Sequence, residues 1–71
     1  MNRVVVVEDE TMARKGIILT IDWSALGCVI VGEAANGEEG AALVERLSPD
    51  IVVTDVKMPR MDGVEMIAIV V

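Results

Sequence analysis

Glu8, Asp9 and Glu10 follow directly on the apolar run 4–7, Asp55 follows the run 51–54, and Lys57 stands two residues further on. These are the positions where residue type and spacing suggest chemistry. If the two runs are neighbouring strands, Glu8, Asp9 and Asp55 converge on one edge. Carboxylates that close disfavour one another's ionisation unless a cation lies between them. A hard divalent ion suits them: Mg²⁺, or Mn²⁺ in its place, takes one or two carboxylates, keeps several waters and accepts a phosphate oxygen. Beside such an ion a carboxylate is also prepared for phosphoryl transfer, because the metal neutralises the incoming oxygens while a carboxylate oxygen attacks in line. Polar residues commonly follow strands and acidic residues commonly open helices, so Glu8-Asp9-Glu10 alone is more simply a solvated turn. The pairing with Asp55 favours the site.

The elements that must position these residues alternate along the chain. Run 4–7 is four valines, a strand buried on both faces. Thr11 is placed as an N-cap, with a helix over 12–21 that carries Ala13, Ile17 and Ile21 on one face. Asp22-Trp23-Ser24 breaks that helix, Trp23 covers its end, and Gly27 marks the turn out. A second strand runs over 28–31 and extends toward Ala34, with Cys28 as a small core residue. Asn36-Gly37 is a turn signal. Glu38 and Glu39 then open a helix with Gly40, Leu43, Val44 and Leu47 on one stripe, Arg46 in its last turn and Pro49 at its end. A third buried strand covers 51–54. Residues 57–61 form a loop held by Pro59. Asp62 and Glu65 have capping-box spacing, which predicts a third helix from near Gly63 to Val71. That last stretch carries Ile67, Ile69, Val70 and Val71, so pairing as a strand is the other option.

The order β-α-β-α-β-α implies parallel strands with right-handed crossovers, and in such sheets ligands collect at the carboxyl ends of the strands. Composition narrows the function further. The chain is 54% hydrophobic with a net charge of −6, and Trp23 is its only aromatic residue. It offers neither the basic footprint nor the stacking platform of a nucleic-acid binder. No apolar run approaches the roughly 20 residues that span a bilayer, and the start is too short for a signal-peptide core, so a cytoplasmic chain is expected. One cysteine cannot form an internal disulfide. Gly37-Glu38-Glu39-Gly40 lacks the Lys-Ser/Thr pair of a phosphate loop, and with no aromatic flavin platform a flavodoxin-like nucleotide binder is disfavoured.

Four segments carry a family resemblance: Val4-Val5-Val6-Val7-Glu8-Asp9-Glu10, Gly32-Glu33-Ala34-Ala35-Asn36-Gly37-Glu38-Glu39, Pro49-Asp50-Ile51-Val52-Val53-Thr54-Asp55, and Met58-Pro59 through Met61-Asp62-Gly63. Through them the chain resembles the receiver domains of two-component response regulators, which are CheY-like. The Ile21-Asp22-Trp23 run with Leu26-Gly27 resembles receivers joined to AraC-type DNA-binding domains. The resemblance implies an α/β, flavodoxin-like parallel sheet of order 2-1-3-4-5. The 71 residues cover about three βα units of it, with strand order 2-1-3, as a single incomplete domain over 1–71. It also implies roles. Asp55 is the phosphoacceptor, served by a sensor histidine kinase. Asp9 ligates Mg²⁺ directly, Glu8 supports it mostly through water, and Lys57 contributes its backbone carbonyl.

The family's switch Ser/Thr and its phosphoryl-contacting Lys have no counterpart in these residues. Phosphorylation of this chain is therefore expected to be impaired, with little stable adduct, and no enzymatic turnover is expected. The competing reading is a non-catalytic, oligomerising truncated or engineered receiver fragment. With order 2-1-3 the third strand becomes an apolar edge, and an exposed edge is a template for another chain. Self-association through that strand and the apolar C-terminal segment is expected on this ground.

Overall fold

The computed structural model describes residues 1–56 and 65–70, with side chains described through Thr54. In chain order the elements are β1 (Asn2–Val7), α1 (Thr11–Thr20), a 3-10 turn (Ser24–Leu26), β2 (Cys28–Ala34), α2 (Gly37–Leu47), β3 (Ile51–Val56) and β4 (Glu65–Val70). They form one sheet of order β2-β1-β3-β4. β1 is parallel to both β2 and β3, so the expected 2-1-3 core is present. β3 and β4 are antiparallel.

The sheet is built around β1. Val4, Val5 and Val6 are each 0% exposed, and burying a valine side chain is worth about 1.5–3 kcal/mol. Alternation along the strand sends these side chains to opposite faces. Val4 and Val6 join Cys28 and Val53 in a core cluster, against which Ile17 and Ile18 of α1, Trp23, Ile30 and Ile51 pack. The other face receives α2. A Cβ built on Gly40 would lie 2.8 Å from Val7 Cγ2, and one built on Gly32 would lie 3.1 Å from Leu47 Cδ1. Both glycines therefore let α2 approach the sheet closely. Between Val4 and Val5 the register with β2 skips Val31, since Val4 faces Ile30 and Val5 faces Gly32.

Local chemistry fixes the helix ends. α1 begins at Thr11, with Glu10 at the cap position and no side-chain cap bond, so the expected Thr11 cap lies one residue inside the helix. Trp23 Nε1 donates to the Ile18 carbonyl at 3.2 Å and closes that end, as expected. For α2 the cap is Asn36, whose Oδ1 accepts the Glu39 N–H at 2.9 Å. Glu39 Oε2 in turn accepts the Ala35 N–H at 2.9 Å. α2 ends at Ser48, in the left-handed region at φ 47°. There Arg3 Nη1 donates to the carbonyls of Leu47 and Ser48, placing a cation on the negative end of the helix. Asp50 then ties the start of β3 to β1: the Arg3 N–H donates to Asp50 Oδ2 at 2.7 Å and the Asp50 N–H donates to the Arg3 carbonyl at 2.8 Å.

The C-terminal helix expected from Gly63 to Val71 is corrected. Residues 65–70 form β4 and pair with β3 from Ile51↔Val70 to Val56↔Glu65. Asp62, half of the capping-box pair, and Gly63, the expected helix start, lie outside the described residues. A helix of some nine residues is marginal without packing. The open edge of β3 offers instead a full row of backbone partners to a segment rich in β-branched residues. The same pairing corrects the expected bare third strand: β3 is hydrogen-bonded along both edges, to β1 and β4, and is not open to another chain.

Gly40→Ala tests the close approach of α2. The clash with Val7, whose branched side chain has little freedom to yield, costs about 1–3 kcal/mol. The better helix propensity of alanine returns about 1 kcal/mol. The expected outcome is a lower urea midpoint, followed by Trp23 fluorescence; an unchanged or higher midpoint contradicts the packing.

Candidate functional site at the carboxyl edge of the sheet

The register of β1 on β3 places the acidic residues. Val7 lies opposite Thr54, so Glu8, which follows the last residue of β1, stands level with Asp55, which lies inside β3 and not at its end as the sequence suggested. The Glu8 N–H donates to the Ala34 carbonyl at 3.0 Å, which holds this end of β1 against the end of β2. Glu8 is 2% exposed, and its Oε1 accepts the Glu10 N–H at 3.0 Å, closing a tight turn around Asp9. Asp9 is exposed. Both side chains line a cavity of about 260 Å³, together with Val7, Ala35, Asn36, Gly37 and Thr54.

Two of the expected site residues, Glu8 and Asp9, are thus brought together at one cavity. Asp55 is the fifth residue of β3 and pairs with Met66 of β4 through its backbone. Its side chain, and Lys57 entirely, lie outside the described residues. Among the described residues no group of three or more His, Cys, Asp or Glu side chains is placed to hold one metal ion. The cavity wall nevertheless has a definite donor character. Among the described residues its charged groups are two carboxylates, its other polar side chains are Asn36 and Thr54, and neither sulfur nor imidazole lines it. Oxygen donors of this kind suit Mg²⁺ or Mn²⁺ and not a thiolate-seeking metal. The oxygen donors present therefore fit a hard cation.

Behind the acidic turn lies a basic pair that sequence reasoning missed. Arg14 Nη1 donates to the Glu8 carbonyl at 2.8 Å, and Arg14 Nε pairs with Glu33 Oε1 at 3.0 Å. Lys15 Nζ reaches the same oxygen at 3.0 Å. In the sequence Arg14-Lys15 is only an adjacent basic pair. Its partner is 19 positions from Arg14, on another element, so no local pattern could reveal it. The Lys15 ammonium, and after it the Arg14 guanidinium, hold the Glu33 carboxyl below the usual glutamate range against a smaller opposing effect of burial.

Comparison with known proteins places this arrangement. The chain belongs to the response regulator receiver domain family, whose pattern it matches over residues 4–70. It is 40% identical over 67 residues to the transcriptional regulatory protein YesN of Bacillus subtilis, covering 94% of this chain and 18% of that one. It is 40% identical over 62 residues to the nitrate/nitrite response regulator NarL of Escherichia coli, covering 87% of this chain and 28% of that one. The solved receiver domain of AraT, a response regulator from Geobacillus stearothermophilus, superposes with a TM-score of 0.73 at 39% identity, over 87% of this chain and 48% of that one. The chain therefore spans under a third of these curated relatives and about half of the solved domain. The fold is the flavodoxin-like receiver fold, and receivers of two-component systems act in general as phosphoacceptors for sensor histidine kinases. Among the described residues no helix is long and apolar enough to cross a membrane.

The Glu33 cluster carries a pH prediction. Its carboxyl pKa is depressed in the folded state, so the stability it contributes is fully present above the unfolded glutamate value. That stability is lost as pH falls through the folded value. The pair is partly exposed, so the contribution is small and screened by salt. Urea midpoints measured from neutral pH down through the glutamate range are expected to fall more steeply for the wild type than for Glu33→Gln. The two should converge at the acid end; parallel profiles contradict the assignment.

Proposed function

We propose that this chain is a phosphoacceptor receiver in which Asp55 takes a phosphoryl group from a histidine kinase, with Mg²⁺ held by the Glu8, Asp9 and Asp55 carboxylates and the Lys57 backbone carbonyl. The observation that carries the proposal is the Val7↔Thr54 register, which sets Asp55 level with Glu8 and Asp9 at the carboxyl edge of adjacent strands. An Asp55 carboxylate oxygen attacks phosphorus in line. The bond from phosphorus to the kinase histidine nitrogen breaks, and the electron pair leaves with that nitrogen, which is then protonated. When bound, the metal supplies positive charge against the phosphoryl oxygens. Glu8, buried, and Asp9, exposed beside the cavity, would hold that charge in place. Asn36 and Gly37 wall one side of the cavity.

The protein accepts the group and does not turn over a substrate, and it works in the cytoplasm, where its kinase presents phosphohistidine. The alternative, a non-catalytic oligomerising fragment, loses the bare third strand as a surface, since β3 is paired along both edges.

The test uses acetyl phosphate and Mg²⁺, with borohydride present to reduce a short-lived aspartyl phosphate to homoserine, and maps the product by mass spectrometry. Homoserine is expected at position 55 and nowhere else, in low yield because phosphorylation of these residues alone is expected to be impaired, and none in Asp55→Asn. Conversion at another carboxylate, or conversion that persists in the variant, contradicts the assignment.

A further inference from the structure

We propose that Arg14 is the positioning residue of the acidic cation site, acting through a clamp that Glu33 completes. The inference rests on the cation reading above and adds a residue to it that touches neither metal nor phosphoryl group. Arg14 holds the acidic turn at two points. Its Nη1 donates to the Glu8 carbonyl at 2.8 Å, and its backbone N–H donates to the Glu10 carbonyl at 2.9 Å. Asp9 lies between these two anchored residues. The Glu10 N–H in turn donates to Glu8 Oε1 at 3.0 Å, so the direction of the buried carboxylate depends on the same turn.

The guanidinium is itself held. Its side chain is only 12% exposed, unusual for an arginine. Nε is bonded to Glu33 while Nη1 is bonded to Glu8, so two nitrogens of one planar fork are committed and its orientation is set. Glu33 precedes Ala34, whose carbonyl accepts the Glu8 N–H at 3.0 Å. The end of β2 therefore restrains Glu8 on both sides, directly through Ala34 and indirectly through Glu33 and Arg14. Glu33 also pairs with Lys15, the same Oε1 taking both cations at 3.0 Å. The plainer reading is a structural ion pair that merely joins α1 to β2.

The experiment separates the two readings with Arg14→Lys, which keeps the charge beside Glu33 but cannot bridge two acceptors from a rigid plane. Mn²⁺ affinity is measured by water-proton relaxation on the wild type, Arg14→Lys, Glu33→Gln and Asp9→Asn. Urea midpoints are read from Trp23, and the Glu10 amide is followed by NMR as a local readout of the turn. The expected result for Arg14→Lys is an unchanged urea midpoint, a shifted Glu10 amide and Mn²⁺ binding weaker by about tenfold, in the range for residues that orient metal ligands. Glu33→Gln, which provides the answer if Arg14→Lys does not fold, is expected to weaken Mn²⁺ binding in the same direction. Wild-type affinity in the Arg14 and Glu33 variants overturns the proposal, as does a loss fully accounted for by a lower folded fraction. The underlying cation reading is tested apart: it fails if the wild type does not bind Mn²⁺ or if Asp9→Asn binds it equally well.

Discussion

A strand of four valines cannot sit at a surface, and its burial sets the rest of this molecule. β1 has paired neighbours on both edges and fully buried side chains at Val4, Val5 and Val6. Its backbone groups find their partners in β2 and β3, and its side chains find theirs under α1 and α2. Everything polar is displaced to where the strand stops. Because both partners of β1 are parallel to it, all three strands end on the same side, and the first polar residue after the valines is still enclosed. Glu8 is buried for that reason, and Asp9 is the first residue of the turn to reach solvent. The cavity lies in the crevice left where β1 turns away and α2 starts, lined by Asn36 and Gly37 on one side and Thr54 on the other.

The acidic edge is a product of this geometry and not of local sequence alone. Glu8 and Asp9 belong to one turn, whereas Asp55 reaches the same level only because Asp50 fixes the start of β3 against Arg3 and the register then runs from Val4↔Ile51 to Val7↔Thr54. Arg3 also meets the carbonyl end of α2. One residue thus links the helix that walls the cavity to the strand that carries the proposed phosphoacceptor.

Much of this was legible in the sequence. Continuous β-branched runs marked the three parallel strands, and the stripe of Gly40, Leu43, Val44 and Leu47 marked the face of α2. Strand ends directed attention to Glu8, Asp9 and Asp55 before any geometry was available. What the sequence concealed was non-local. Residues 65–70 carry a helix-start signal on one side and β-branched residues within, and the decision between helix and strand depends on an unfilled edge of β3, which no local window contains. The cap at Asn36 resembled a turn signal because an Asn-Gly pair serves both purposes. Arg14 looked like one of six scattered basic residues because its partners, Glu8 and Glu33, are joined to it only by folding.

The central claim is that the carboxyl edge of the sheet is a cation site built jointly by β1 and β3, and its most direct measure is the effect of Mg²⁺ on folding stability. An ion that binds only the folded chain stabilises it by an amount that grows with the logarithm of its concentration, reaching about 2.7 kcal/mol at a hundredfold excess over the dissociation constant. Urea unfolding followed by Trp23 fluorescence, across a Mg²⁺ series at constant ionic strength, is expected to show a rising midpoint for the wild type. The rise should be lost in both Asp9→Asn and Asp55→Asn. A midpoint that ignores Mg²⁺ in the wild type, or that rises equally in all three proteins, contradicts a shared site.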